Sequence, residues 1–167
     1  MTLAENQHPG SAPPSPRQVQ DAEQWLANLS PAAAGHLVQV WRASQDLDAK
    51  FSEVFYQRLF QAHPELVNLF PGDMQQQQQR LTNTLSEAIE LVPEPDRLIL
   101  LLRAAGVRHH HYQVQQNHFQ LMGPILVETF KQFLGTAFSP KQEAEWLQFF
   151  TSMAVVMRSA MAQAADE

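Results

Sequence analysis

The sequence predicts an all-α protein of about seven to eight helices. Every strong hydrophobic pattern along the 167 residues recurs at three- and four-residue spacing, and none alternates with the period of two that a half-buried strand requires. Pro, Gly, Ser and Asp punctuate these stretches where helices start and stop. Hydrophobic residues make up 44% of the chain, enough for one domain with its own core.

The elements follow in order. Residues 1–17 hold Gly10, Pro13, Pro14 and Pro16 among small polar residues and read as a flexible lead-in. Residues 18–29 carry Val19, Ala22, Trp25, Leu26 and Leu29 at helical spacing. Ser30 and Pro31 form an N-cap and first helical position for a helix with Leu37, Val40 and Trp41 on its apolar face. Phe51, Val54, Phe55 and Leu59 mark the next helix. Pro64 turns the chain into a short segment that Pro71 and Gly72 end. Asp73 caps a long helix with Met74, Leu81, Leu85, Ala88 and Val92, and Pro93 and Pro95 break it. Leu98, Leu101, Leu102 and Ala105 form a further stripe, and His109 continues it four residues on. Beyond a corner, Phe119, Met122, Leu126, Phe130 and Phe133 mark a helix that Gly135 closes. Pro124 inside it removes one backbone donor, so a kink or restart is expected there. Ser139, Pro140 and Gln142 open the last helix with a capping box, followed by Trp146, Phe150, Met153, Val156 and Met157.

Composition excludes several classes. The formal net charge is −6 with no basic stripe, which argues against a nucleic-acid binder. There is no cysteine, so disulfides and thiolate chemistry are out. The longest apolar run, residues 98–102, is far too short to span a membrane. The polar N-terminus lacks a secretory pattern, and a cytoplasmic location is expected.

The chemistry concentrates between residues 104 and 123. His109 sits at a helix end, followed by Tyr112, Val114, His118, Phe119, Met122 and Gly123. A neutral imidazole at a helix end, backed by apolar residues, is what holds a haem iron from one side. His110 and His111 compete for that role, pointing roughly 100° and 200° away from His109 on a continuing helix. They read equally as a solvated helix end at the negative pole of the dipole. Three adjacent helical histidines cannot converge on a zinc ion, and no Cys or HxxxH pair supports one.

Several ordered motifs carry a resemblance. FYQRLFQAHPELVNLF at 55–70, DMQQQQQRL at 73–81, GVRH at 106–109, HFQLMG at 118–123 and EAEWLQFF at 143–150 are similar to successive motifs of bacterial globins. The chain resembles single-domain haemoglobins and the globin part of flavohaemoglobins, from about Ser30 to Met161. The resemblance implies a globin fold over 30–167, with an extra N-terminal helix at 18–29.

It further implies haem b (iron protoporphyrin IX) as cofactor and His109 as the proximal iron ligand. Tyr56 matches the distal tyrosine, whose phenol donates to iron-bound dioxygen. Gln77 matches the distal glutamine, in a register set by Leu81 and Leu85 across a run of five glutamines. Leu81 matches an apolar wall over the distal face. Phe70 matches the corner phenylalanine packed on the porphyrin. Arg108 is placed to pair with a propionate, although a surface arginine would read the same.

The implied function is reversible binding of O2, and of NO or CO, for oxygen transport or storage. Oxidation of nitric oxide is a candidate enzymatic activity, and a gas or redox sensor acting through a protein partner is the alternative. The sequence also departs from flavohaemoglobins. It carries no reductase portion, so a separate reductase is expected for turnover. The tyrosine behind the proximal histidine is replaced by Phe119, and the glutamate's region reads Ser159-Ala160-Met161-Ala162-Gln163. A carboxylate there would push electron density onto iron and favour oxygen activation, so its loss points to reversible binding. Monomer and homodimer are both compatible with the sequence.

Overall fold

The computed structural model describes residues 12–45 and 50–167. Seven α-helices form among these: α1 (Pro16–Ala27), α2 (Pro31–Gln45), α3 (Phe51–Ala62), α4 (Met74–Glu90), α5 (Pro95–His111), α6 (Phe119–Leu134) and α7 (Pro140–Ala165). Short 3₁₀ turns at Pro64–Leu69, Gln116–His118 and Gly135–Ala137 make the corners. No strand forms among the described residues. No described helix is long and apolar enough to cross a membrane.

Local chemistry sets most boundaries. The Ser30 hydroxyl accepts from the Ala33 amide at 3.1 Å, the Asp73 carboxylate from Gln75 at 2.8 Å, and the Ser139 hydroxyl from Gln142 at 3.1 Å. Each satisfies an amide that a helix start leaves without an internal acceptor. Gly135 ends α6 with φ of 54°, a conformation that L side chains rarely adopt.

Two expectations are corrected. The first helix begins at Pro16 rather than residue 18, because Ser15 and Gln18 close a reciprocal capping box and Pro16 takes the first helical position. The part of the expected flexible lead-in at residues 1–11 lies outside the described residues. Of the kink or restart expected at Pro124, the restart does not occur, since α6 runs through it from Phe119 to Leu134. A residue with an amide at this position would have bonded the carbonyl of Gln120, itself an exposed residue.

The core sits where α2, α3, α6 and α7 meet. Trp146 and Phe130 are fully buried with ring centroids 4.6 Å apart, and Trp41, Phe51 and Phe149 close around them. The extra helix α1 belongs to the same core. Ala22 and Leu26 are buried in it, α1 packs along α7 and α5, and Glu23 pairs with Arg103 of α5 at 2.7 Å. The most extensive helix contact in the molecule is α5 on α7. By contrast, α4 packs on α2 and α3 and makes no extended contact with α5, the next helix in the chain.

Candidate functional site

The parting of α4 from α5 separates two polar assemblies. On the α5 side stands His109, half-buried near the helix end. Its Nδ1 lies 2.6 Å from the carbonyl oxygen of Ala105, one turn earlier. A carbonyl only accepts, so Nδ1 carries the proton and Nε2 keeps its lone pair. Burial lowers the imidazole pKa below the usual histidine value, the Ala105 bond works against that, and Arg108 lowers it further. The ring is therefore neutral and can donate an electron pair through Nε2.

His109 is backed by apolar groups. The Phe119 ring is 5.6 Å away, centroid to centroid. Phe119 is itself buried in a small cluster with Ala154 and Met161, against which Val114, Phe150 and Met157 pack. Of the competing histidines, His110 is half-buried and His111 exposed, and their rings lie 5.6 Å from each other.

On the other side, Tyr56 of α3 is buried at 4% exposure, and Gln77 of α4 donates its side-chain amide to the phenol oxygen at 3.1 Å. Gln75, Gln76 and Gln79 are exposed, while Gln77 and Gln78 are half-buried. Burial raises the Tyr56 pKa above the usual phenol value, and the Gln77 bond lowers it by less. Tyr56 thus remains a phenol at neutral pH. Because Gln77 donates to its oxygen, the Tyr56 proton is free for a second acceptor.

Phe70 stands edge-on to Tyr56, with centroids 5.3 Å apart, and Phe60 lies 5.7 Å from Phe70. Phe60, Phe70, Met74, Leu81, Leu101 and Met122 pack against the core yet stay half-buried. Apolar side chains left so by the protein itself are suited to cover a flat apolar group. Arg108 is exposed, and no carboxylate pairs with it among the described residues. The structure thus joins Tyr56, Gln77 and Phe70 directly and places Leu81 one helical turn beyond Gln77 on α4. It puts His109 on a separate helix, with Arg108 beside it acting on its pKa.

No motif flagged the Ala105 carbonyl, because any helical residue offers one to position i+4. Gly106 opens the GVRH motif, yet nothing local marks it as buried against α7. Its packing partners lie some fifty residues away in sequence, beyond the reach of a local pattern.

The globin family model matches residues 53–157, which include α4, α5, α6 and most of α7. The chain belongs to the globin family. Among curated relatives, a flavohemoprotein of Rhizobium meliloti (strain 1021) is 29% identical over 106 residues, covering 62% of this globin and 26% of the relative. A flavohemoprotein of Vibrio cholerae is 32% identical over 106 residues, covering 61% and 27%. The chain thus spans about a quarter of the length of these two relatives. Among solved structures, the hexacoordinated heme protein from an anhydrobiotic tardigrade, determined at pH 4, aligns with a TM-score of 0.73 at 17% identity. That alignment covers 81% of this globin and 96% of the tardigrade chain, and at such identity it shows the fold alone.

Proposed function

We propose that this globin binds haem between α4 and α5 and uses it to bind a diatomic gas reversibly, with dioxygen as the leading ligand. The observation that carries the reading is the Nδ1 contact of His109 with the Ala105 carbonyl at 2.6 Å. It fixes the tautomer whose Nε2 is available as an axial base. The residues present fit the group: a neutral, half-buried imidazole on α5, the hydrogen-bonded Tyr56 of α3 and Gln77 of α4, and half-buried apolar side chains between core and surface.

A bound haem iron would supply the coordination position for the gas. The protein's own groups do the rest. His109 would hold the iron through Nε2, and the Ala105 carbonyl holds its ring. Tyr56 offers its phenol proton to a ligand that carries partial negative charge. Gln77 orients that phenol by donating to its oxygen. Phe70 and Leu81 exclude water from the ligand side. Arg108 is assigned to a propionate, since an exposed guanidinium next to the axial residue can reach the rim of the group.

The surroundings of His109 favour binding over activation. Behind the ring lie a neutral carbonyl and the Phe119, Met161 and Val114 cluster, and among the described residues no carboxylate pairs with the imidazole to strengthen it as a donor. Oxidation of nitric oxide by dioxygen, with an electron from a separate reductase, is therefore a side activity in this reading. The sensor alternative drew on the extra helix, yet α1 buries Ala22 and Leu26 in the common core, as a structural element does.

The test is an absorption spectrum of the purified protein, ferric, dithionite-reduced, and reduced then exposed to oxygen or carbon monoxide. An intense Soret band that shifts with each gas, and that His109→Ala loses, is expected. A colourless protein that takes up no added hemin overturns the reading.

A further inference from the structure

The backbone that carries His109 is held against α7 at a point where only glycine fits. Gly106 is buried on α5, and a Cβ placed on it would run into the carbonyl oxygen of Met157. The same Cβ would stand 2.8 Å from the Ala160 Cβ and 3.0 Å from the Met157 Cα. Two of these three atoms are α7 backbone, which cannot swing aside as a side-chain tip can. Helix axes usually stand about 8–10 Å apart, and small residues on facing sides bring them to the near end of that range.

This contact falls inside the turn that builds the candidate ligand. Gly106 follows Ala105, whose carbonyl receives the His109 Nδ1 proton, and precedes His109 by three residues. Ala105 is 1% exposed and Ala160 5%, so the seam between the helices is closed. Phe119, the ring nearest His109, packs in the cluster that contains Ala154 and Met161, again from α7. If α5 lifts away from α7, the carbonyl anchor and the imidazole's backing change together.

We propose that Gly106 is a positioning residue: its missing side chain sets how deeply α5 seats on α7 and thereby where the His109 imidazole and its anchor at Ala105 stand. The proposal concerns the placement of His109; its relevance to haem rests on the reading given above.

The test compares Gly106→Ala with Ala160→Val, which enlarges the same contact from the α7 side, and with Gly123→Ala as a control. Gly123 is a buried helical glycine whose added Cβ would meet only side chains, Phe150 at 3.3 Å and Leu147 at 3.4 Å. The readout is NMR of ¹⁵N-labelled apoprotein, which reports the protonated His109 Nδ1 and its exchange with solvent. The wild type and Gly123→Ala are expected to show a slowly exchanging Nδ1 proton. Gly106→Ala and Ala160→Val are expected to lose it or shift it upfield with faster exchange. Variants that lower the urea midpoint yet keep the wild-type Nδ1 signal overturn the proposal, because packing alone then explains Gly106. Should Gly106→Ala fail to fold, Ala160→Val decides between the same two outcomes. In hemin-loaded protein the ferrous iron–histidine stretching band is expected to move in the same two variants. A wild type that takes up no hemin overturns the haem reading, while the apoprotein spectra still decide the role of Gly106.

Discussion

Gln77 on α4 donates to the hydroxyl of Tyr56 on α3 at 3.1 Å, the one hydrogen bond that joins the two candidate distal residues. It occupies the phenol oxygen and leaves the phenol proton unspent. A buried donor held in this way is aimed before a ligand arrives, so little ordering remains to be done on binding.

Replacing Tyr56 with Phe should therefore speed oxygen release by about tenfold to a hundredfold, since a hydrogen bond to a charged acceptor contributes ~1.5–3 kcal/mol. Carbon monoxide, which carries little charge when bound, should leave at nearly the wild-type rate. Gln77→Leu should give a smaller effect of the same sign. Stopped-flow ligand replacement measures all three, and equal acceleration for both gases would mean that Tyr56 acts by volume alone.

Alkaline titration should single out Tyr56. Burial raises its pKa above the usual phenol value. A phenol with a raised folded-state pKa contributes stability that is fully present below the unfolded value of about 10 and is lost as pH climbs toward the folded value. Ultraviolet difference spectra should show a late ionisation coupled to unfolding, absent in Tyr56→Phe.

Acid should act through His118. Its pKa is lowered chiefly by burial, against a smaller raising effect from Glu65. The folded state then binds this proton less readily than the unfolded chain. The contribution is fully present above about 6.5 and is lost as pH falls toward the lower folded value. Urea unfolding of the apoprotein between pH 7 and 5 should show declining stability, with a shallower decline in His118→Gln.

Among the helical glycines, Gly35 and Gly106 should respond in opposite directions to alanine. A Cβ on Gly35, exposed in α2, meets nothing within 4 Å. Gly35→Ala should stabilise by about 0.5–1 kcal/mol through helix propensity. Gly106→Ala should destabilise, since α7 backbone stands in the way. Denaturation midpoints with unchanged slopes would report both.

Truncating α1 into the core tests whether it is structural. Leu26 is 1% exposed and packs in the main cluster, so Leu26→Ala should cost about 2–5 kcal/mol. A helix kept only for a partner would tolerate the change, and thermal unfolding distinguishes the two.

Much of the fold was legible because its determinants are local. Ser30, Asp73, Ser139 and Gly135 each mark a helix boundary by chemistry within three residues of themselves. The stripe Leu98, Leu102, Ala105 and His109 places the imidazole on the inward side of α5, because residues three and four apart share a helix face. The first boundary is harder to read because Pro16 follows the prolines of the lead-in, and only the reciprocal Ser15–Gln18 box turns it into a helix start.

The sequence by itself determined the helical periods, the caps and the candidate polar residues of this globin, since each depends on neighbours within one or two turns. Only the tertiary structure decided that the Gln77 amide meets the Tyr56 phenol, which backbone carbonyl holds His109, and why position 106 must lack a side chain. Those relations join atoms on different helices, or depend on a rotamer that packing selects. Close packing leaves too little slack for a neighbour's position to be anything but specific.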